Sequence, residues 1–440
     1  MTALLRDRLR SHRLTAPAKT PVAAARHMLA VQSQEFLGGR WALGIRSAGS
    51  PTLADVDAAF DRGELVRTHT MRGTLHTIPS EDLRWVLSVT GQRQLRQAAS
   101  RHRQLGIDDA LIARVESAFR ERLADGGRTR AQLFDDLTAL GIDPSGQRGV
   151  HLIYALNVRG ILVQGPVVHR EGAVSREQLF VLAEDWIPHA PPPADPLAEF
   201  FVRYIDGHGP ATAADFAWWS GLPITTAREG ATRAAGRLNE VAEGVFVAAT
   251  RPRRAPGADD ARILALPMFD EYYIAYADRL GVASAENAAL IGPGKNGMVR
   301  ASLVAGGRIA GAWTHSAAVG RHREDPTPEL FDASLNPEAV TAALRRYADA
   351  VAAEVDAGLQ RAGFIVVTGH GVDQGLAAAV RAASREFFAL PDEVKQRYSV
   401  PVGGHGWIGP GAEANGYAEG TATPPDLKES FSLGAETATG

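Results

Sequence analysis

The sequence predicts an α+β protein built from three tandem winged-helix units, a small β-domain and a C-terminal α/β segment. Three observations carry that reading. Apolar residues at helical spacing give way at residues 64–78 to a run rich in Thr and β-branched residues around Gly73, the pattern of two short strands joined as a hairpin. A similar order of short helix, further helix and strand recurs near residues 127–168 and 208–249, and repetition of one supersecondary unit points to a tandem array. Residues 262–315 then turn β-rich with Gly turns, as a small sheet or barrel requires.

The first unit, residues 1–95, shows helical spacing over residues 23–36. Pro51-Thr52 opens a helix over residues 53–60, with Thr52 as its N-cap. The hairpin follows, and Ser80-Glu-Asp starts another helix. Helices backed by a hairpin are the order of a winged helix, a helix-turn-helix variant whose wing can touch the DNA backbone. The second unit, residues 96–190, holds a Thr-capped helix within residues 127–141, a helix over 149–160 and a strand and turn over 161–168. A Pro-rich linker at residues 188–196 leads into the third unit, residues 195–256, with a helix over 227–238 and a strand over 244–249. The β-domain and an Ala-rich closing helix occupy residues 262–351. Composition shifts again over residues 354–440, which predict a helix at 356–362, a buried strand at 363–368, a helix at 374–388 and a Gly- and Pro-rich tail after Pro401.

At 440 residues, with 45% hydrophobic and 22% charged residues, the chain can bury several cores. It has no cysteine, which excludes disulfides, thiol catalysis and iron–sulfur clusters. No apolar run approaches the ~20 residues that span a membrane, and the N-terminus lacks the apolar core of a secretory signal, so a cytoplasmic location is expected. Charge is uneven: residues 1–130 carry 21 basic and 13 acidic side chains on a chain whose formal net charge is -3. A basic N-terminal third can be a nucleic-acid footprint or a solvated helical surface. Only four lysines occur, so arginine supplies nearly all the positive charge. Arginine suits bidentate phosphate contacts, although a GC-rich genome gives the same bias.

Few residues here carry chemistry. Gln32 and Gln34 stand two apart; on a strand they share a face, on a helix they diverge. Amides do not titrate usefully, so the pair is no general base, but it can orient water and hydrogen-bond a sugar or base edge. Strand alternation puts Arg72, Thr74 and His76 on one hairpin face, a triplet able to grip phosphate, with Arg67 nearby. Phe269-Asp-Glu-Tyr-Tyr273 sets two carboxylates beside two rings and reads as a structural turn, because neighbours on a strand point apart. Trp218-Trp219 reads as core. His370 sits in a Gly-rich turn with no His-x-Asp pair after residue 354, so it is expected to be structural and no metal site is expected.

Two resemblances bear on these residues. Val31-Gln-Ser-Gln34, Leu65-Val-Arg-Thr-His-Thr-Met-Arg-Gly-Thr-Leu-His-Thr-Ile78, Gly207-His-Gly-Pro-Ala-Thr-Ala-Ala-Asp-Phe-Ala-Trp-Trp-Ser-Gly221, Leu266-Pro-Met-Phe-Asp-Glu-Tyr272 and Gly306-Gly-Arg-Ile-Ala-Gly-Ala-Trp313 make residues 5–350 similar to the bacterial winged-helix DNA glycosylases of the azinomycin-resistance type. Those enzymes excise bulky alkylated purines and unhook interstrand crosslinks. Arg361-Ala-Gly-Phe-Ile-Val-Val-Thr-Gly-His-Gly-Val372, Phe387-Phe-Ala-Leu-Pro391, Gly406-Trp-Ile-Gly-Pro-Gly411 and Asp426-Leu-Lys-Glu-Ser-Phe-Ser-Leu-Gly434 make residues 354–434 resemble the N-terminal part of an isopenicillin-N-synthase-like, iron and 2-oxoglutarate-dependent oxygenase. The stretch that would hold that family's metal triad is not in this sequence, so an inactive oxygenase-like fragment is expected.

The first resemblance implies three winged helices and a β-domain forming a cradle for duplex DNA, acting as a monomer without cofactor or metal. Its catalytic signature, Gln-x-Gln, falls on Gln32 and Gln34. The family usually has an apolar middle residue where this chain has Ser33. The implied substrate suits a weak catalyst: alkylation at purine N7 makes the base cationic, so its glycosidic bond is already weakened and the leaving group needs no acid. What remains is placing water and stabilising an oxocarbenium-like sugar with preorganised dipoles. Arg67, Arg72, Thr74 and His76 are the expected DNA contacts. With Lys19 the only lysine near the pair, a Schiff-base lyase step is not expected. The competing readings are a non-enzymatic winged-helix DNA binder or regulator and an active oxygenase.

Overall fold

The start of the chain folds around small local signals. Thr20 caps the helix Pro21–Met28, its hydroxyl accepting from the Ala23 N–H, while Pro21 stands where its missing N–H costs nothing. The apolar spacing over residues 23–36 predicts one helix, and the structure corrects this. The helix stops at Met28, Leu29 takes φ +64°, and the chain enters strand β1 (Val31–Gln32). A new helix, Phe36–Ile45, begins after Glu35, whose carboxylate caps the Leu37 and Gly38 N–H groups. Spacing alone hid the break, because Met28, Leu29, Ala30 and Val31 are all buried and so are apolar whatever their conformation.

Described by this computed structural model are residues 2–170, 174–250, 262–294, 297–318, 324–362, 374–400, 406–410 and 429–431. They fall into two compact units that divide after Val366.

In the first unit, Thr52 and Asp55 form a capping box at the start of the helix Leu53–Asp61. Strands β2 (Leu65–Met71) and β3 (Thr74–Pro79) then make the expected hairpin. Its turn is Arg72-Gly73, at φ +54° and +69°, the two left-handed residues that a tight two-residue hairpin loop needs. Arg72 therefore sits in the turn, not on a strand face. The helix Leu83–Gln104 packs behind the hairpin. Strands β4 (Leu162–Val167) and β5 (Gln178–Leu182) complete a five-stranded sheet of order β1-β3-β2-β4-β5. This sheet joins the first two expected units through the pairing of Arg67 with Gln164.

A second helical group follows, with helices Pro196–His208, Ala213–Ser220 and Ile224–Arg233 and a sheet of β6 (Ala211–Thr212), β7 (Leu238–Ala242) and β8 (Val245–Ala248) in the order β6-β8-β7. The β-rich region forms a four-stranded sheet of order β12-β11-β10-β9 from β9 (Leu264–Leu266), β10 (Ser302–Ala305), β11 (Arg308–Thr314) and β12 (Thr327–Leu330). Leu5, Leu9 and Trp41 from the start of the chain pack into the core of this sheet with Leu264, Tyr272 and Trp313. The first and fourth expected segments thus share one core.

The closing helix runs Pro337–Ala362 without a break at residue 354, where composition suggested a boundary. Val340, Leu344, Tyr347 and Val351 keep its apolar face on the sheet core, and Arg40 Nη1 reaches Glu354 at 3.2 Å. The second unit contains the helix Gln374–Phe388, a turn at Asp392–Lys395 and the strand pair β13 (Trp407–Ile408) and β14 (Ser430–Phe431). There Glu429 accepts from Lys395 Nζ and Trp407 Nε1 at 2.8 and 2.7 Å. The strand expected at residues 363–368, His370 and most of the tail lie outside the described residues. No helix among the described residues is long and apolar enough to cross a membrane.

Candidate active site

Strand β1 forms one edge of the five-stranded sheet, and Gln32 stands opposite His76 on β3. The Ser33 N–H continues the ladder by donating to Leu75 O at 2.8 Å. Gln32 therefore leaves the chain from a strand and Gln34 from the bend that follows it, neither from a helix. Arg72 Nη2 donates to Gln32 Oε1 at 2.9 Å, and the Leu75 N–H donates to Gln34 Oε1 at 3.2 Å. Both partners can only donate, so each Gln turns its oxygen toward the hairpin. One lone pair per oxygen is committed, and the other lone pair and the NH2 group stay available. Gln34 is exposed and Gln32 is 9% exposed.

Ser33 points the other way. Its hydroxyl lies 2.8 Å from Thr77 Oγ1 and donates to Val31 O at 3.1 Å. Gly39 packs directly on it: a Cβ there would stand 2.2 Å from Ser33 Oγ and 3.1 Å from its Cα. Gly39→Ala is expected to displace the β1 segment and cost about 1–3 kcal/mol, read as a lower midpoint of denaturant unfolding.

The four residues expected to hold DNA are placed differently. Arg67 is 8% exposed and directs three of its five N–H donors inside the protein: Nε to Ser33 O at 2.7 Å, Nη2 to Gln34 O at 3.2 Å and Nη1 to Gln164 Oε1 at 2.5 Å. It braces the Gln-x-Gln backbone. His76 is fully buried, and burial together with the Arg72 cation holds its pKa down to about 3. Neutral and buried, His76 presents no cation to solvent, and Arg67 braces the Gln-x-Gln backbone while lining the cleft beside Gln34, so neither stands as an open phosphate contact in this structure. Arg72 and Thr74 are only half buried and flank the exposed Gly73 at the hairpin tip.

The turn at residues 269–273 is the feature that sequence reasoning undervalued. It is helical, not extended, with Asp270 capping the segment Glu271–Ile274. Asp270 takes both Arg46 Nη groups at 2.8 and 2.7 Å. Glu271 is completely buried: Oε1 accepts the Gln32 N–H at 2.8 Å, and Oε2 accepts Trp219 Nε1–H at 2.9 Å and faces His208 Nε2 at 3.5 Å. Burial pushes its pKa up, but the neighbouring His208 and Arg72 outweigh that and bring it to about 2. Trp219 is core as expected, whereas Trp218 is 45% exposed with the Arg279 guanidinium 5.2 Å from its ring centre.

Beside Gln34 lies a polar cleft of about 390 Å³ whose lining includes Arg67, Arg130, Gln164, Arg176 and Glu177. Arg130 and Arg176 are exposed. Only the basic bias of the N-terminal third hinted at such a surface; their meeting with Gln34 across roughly a hundred residues or more had no local signal. The site as built can hold water and present amide dipoles beside an arginine-lined surface, and neither amide takes up or gives a proton.

The family model described as "DNA glycosylase AlkZ-like" matches residues 25–397, and the chain belongs to that family. It is a DNA glycosylase, a DNA-repair enzyme whose partner is DNA. Among solved structures, the DNA glycosylase AlkZ of Streptomyces sahachiroi superimposes with a TM-score of 0.63 at 21% identity, covering 79% of this chain and 96% of that one, which shows a similar mixed helix and sheet fold. A separate similarity is short. The validamycin A dioxygenase of Streptomyces hygroscopicus subsp. limoneus is 38% identical over 87 residues, or 20% of this chain and 24% of that protein. A 2-oxoglutarate-dependent dioxygenase DAO of Oryza sativa subsp. indica is 41% identical over 73 residues, or 17% of this chain and 21% of that protein. The chain thus spans about a quarter of the length of the curated relatives it matches.

Proposed function

We propose that this glycosylase hydrolyses the N-glycosidic bond of bulky or crosslinked cationic N7-alkylpurines in duplex DNA, with Gln32 and Gln34 as its catalytic residues. The observation that carries the reading is the chemistry of the pair: two neutral amides, one ending an edge strand and one in the bend after it, held by Arg72 and the Leu75 N–H. Such a site has no acid to drive off a normal base, so it fits a base that leaves without one. The C1′–N9 bond breaks with its electrons going to the cationic purine, which departs neutral. Water oxygen bonds to C1′, and its proton passes to solvent. The free lone pairs of the two amides face developing positive charge on the sugar.

The helix-and-hairpin groups at residues 1–95, 96–190 and 195–256 serve in this reading as three winged helices, with the sheet at 262–351 as the fourth part of a cradle. The enzyme works as a cytoplasmic monomer, in general repair or in self-resistance to an alkylating natural product. The segment from residue 354 onward is the piece similar to part of a dioxygenase, and we assign it no role in base release. Incubation with a duplex carrying N7-methylguanine or an N7-linked crosslink tests the proposal: free base is expected, and intact duplex after full binding refutes it.

DNA is held in this scheme by Arg72 and Thr74 at the hairpin tip and by Arg130 and Arg176 at the cleft. Each phosphate contact steepens the salt dependence of binding by about 0.9 in log–log slope. The paired variant Arg130→Gln with Arg176→Gln is expected to flatten that slope by about 2, measured by titrating duplex at several salt concentrations. An unchanged slope removes both residues from the DNA contact.

A further inference from the structure

Gln32 is clamped from two sides by opposite charges. Arg72 holds its amide oxygen, and Glu271 holds its main-chain N–H. The carboxylate has an unusual buried setting. His208 Nδ1 lies 3.0 Å from Tyr204 O, which can only accept, so the Nδ1 proton is committed there. Its Nε2 faces Glu271 Oε2 at 3.5 Å. Both side chains are fully buried, so bulk water does not screen the Glu271 carboxylate. The His208 ring is fixed by stacking on Tyr204, with centroids 4.8 Å apart. The arrangement is a buried carboxylate seated on the peptide of Gln32, with the His208 ring against its other oxygen.

We propose that Glu271 is a positioning residue for base release, and that its negative charge as well as its shape is required. The inference rests on the functional reading above. A sugar that gains positive charge beside Gln32 meets the Arg72 cation, and a buried carboxylate on the other side of the same residue offsets that repulsion. It also fixes the height of β1, since the Gln32 N–H donates to its Oε1 at 2.8 Å. Glu271→Gln removes the charge and leaves one oxygen for two donors, the Gln32 and Trp219 N–H groups.

The test compares single-turnover base release from an N7-methylguanine duplex with affinity for the same duplex. E271Q is expected to release base at least tenfold more slowly while binding within twofold of the unaltered protein, and E271D, which keeps the anion, is expected to recover part of the rate. A merely structural role moves affinity and thermal midpoint together with rate. Release by E271Q within twofold of the unaltered protein, or a rate loss matched by an equal affinity loss, overturns the proposal. If E271Q does not fold, E271D decides: slower release at unchanged affinity supports the role, and an unchanged rate ends it. If the unaltered protein releases no base, the functional reading has failed and this one falls with it; if it releases base and E271Q does so equally well, only this proposal fails.

Discussion

Replacing Gln32 and Gln34 together by Ala is expected to lower base release from a cationic N7 adduct by at least about 100-fold, since loss of one preorganised polar group commonly costs about 10²–10³ in rate. Binding to undamaged duplex is expected to persist, because the arginines that face solvent are untouched. Stability gives a check on this. Gln34 is exposed, and its loss is expected to change folding by no more than about 0.5 kcal/mol. Gln32 leaves Arg72 without its acceptor, at a cost of about 1 kcal/mol. A folded double variant that still releases base at the original rate would remove the amide pair from the mechanism and return attention to the buried groups around it.

Arg67→Ala is the second large effect, and it separates two roles for one residue. The guanidinium satisfies Ser33 O, Gln34 O and Gln164 Oε1 at once. Its removal leaves three acceptors without a donor, each costing about 1–3 kcal/mol if it stays dry. The neighbouring cleft can admit water to some of them, so a net loss of about 2–4 kcal/mol is expected by denaturant unfolding. Release of base is expected to fall about 10- to 100-fold, because small misplacement of reacting groups is costly. The salt slope of DNA binding is expected to stay the same. A phosphate contact behaves in the opposite way, with a flatter slope and weaker affinity but little change in stability, and that outcome would restore Arg67 to the DNA surface.

The local parts of this fold were legible in the sequence, and the long-range parts were not. Thr52 capping the helix Leu53–Asp61, the hairpin around Gly73 and the Thr129 cap are signals carried within four or five residues, and the structure has all three. The break at Leu29 was hidden because burial, not conformation, sets the apolar pattern there. Glu271 was discounted because strand geometry points it away from Asp270. Only the helical turn, and a contact 239 residues back along the chain, gives it a partner in Gln32. Arg67 misled for a related reason. An arginine in a polar hairpin resembles a phosphate ligand until Gln164, 97 residues onward, supplies its acceptor.

Carrying the amide pair at the end of an edge strand and in the bend that follows it has one further consequence. In the proposed function Gln34 stands exposed beside an open cleft, so the site sets no tight upper limit on what is attached to the nucleobase. Selection then falls to the electronic state of the bond being cut and not to the dimensions of the group hanging from it. Substituents of very different size on the same charged purine should therefore be released at similar rates.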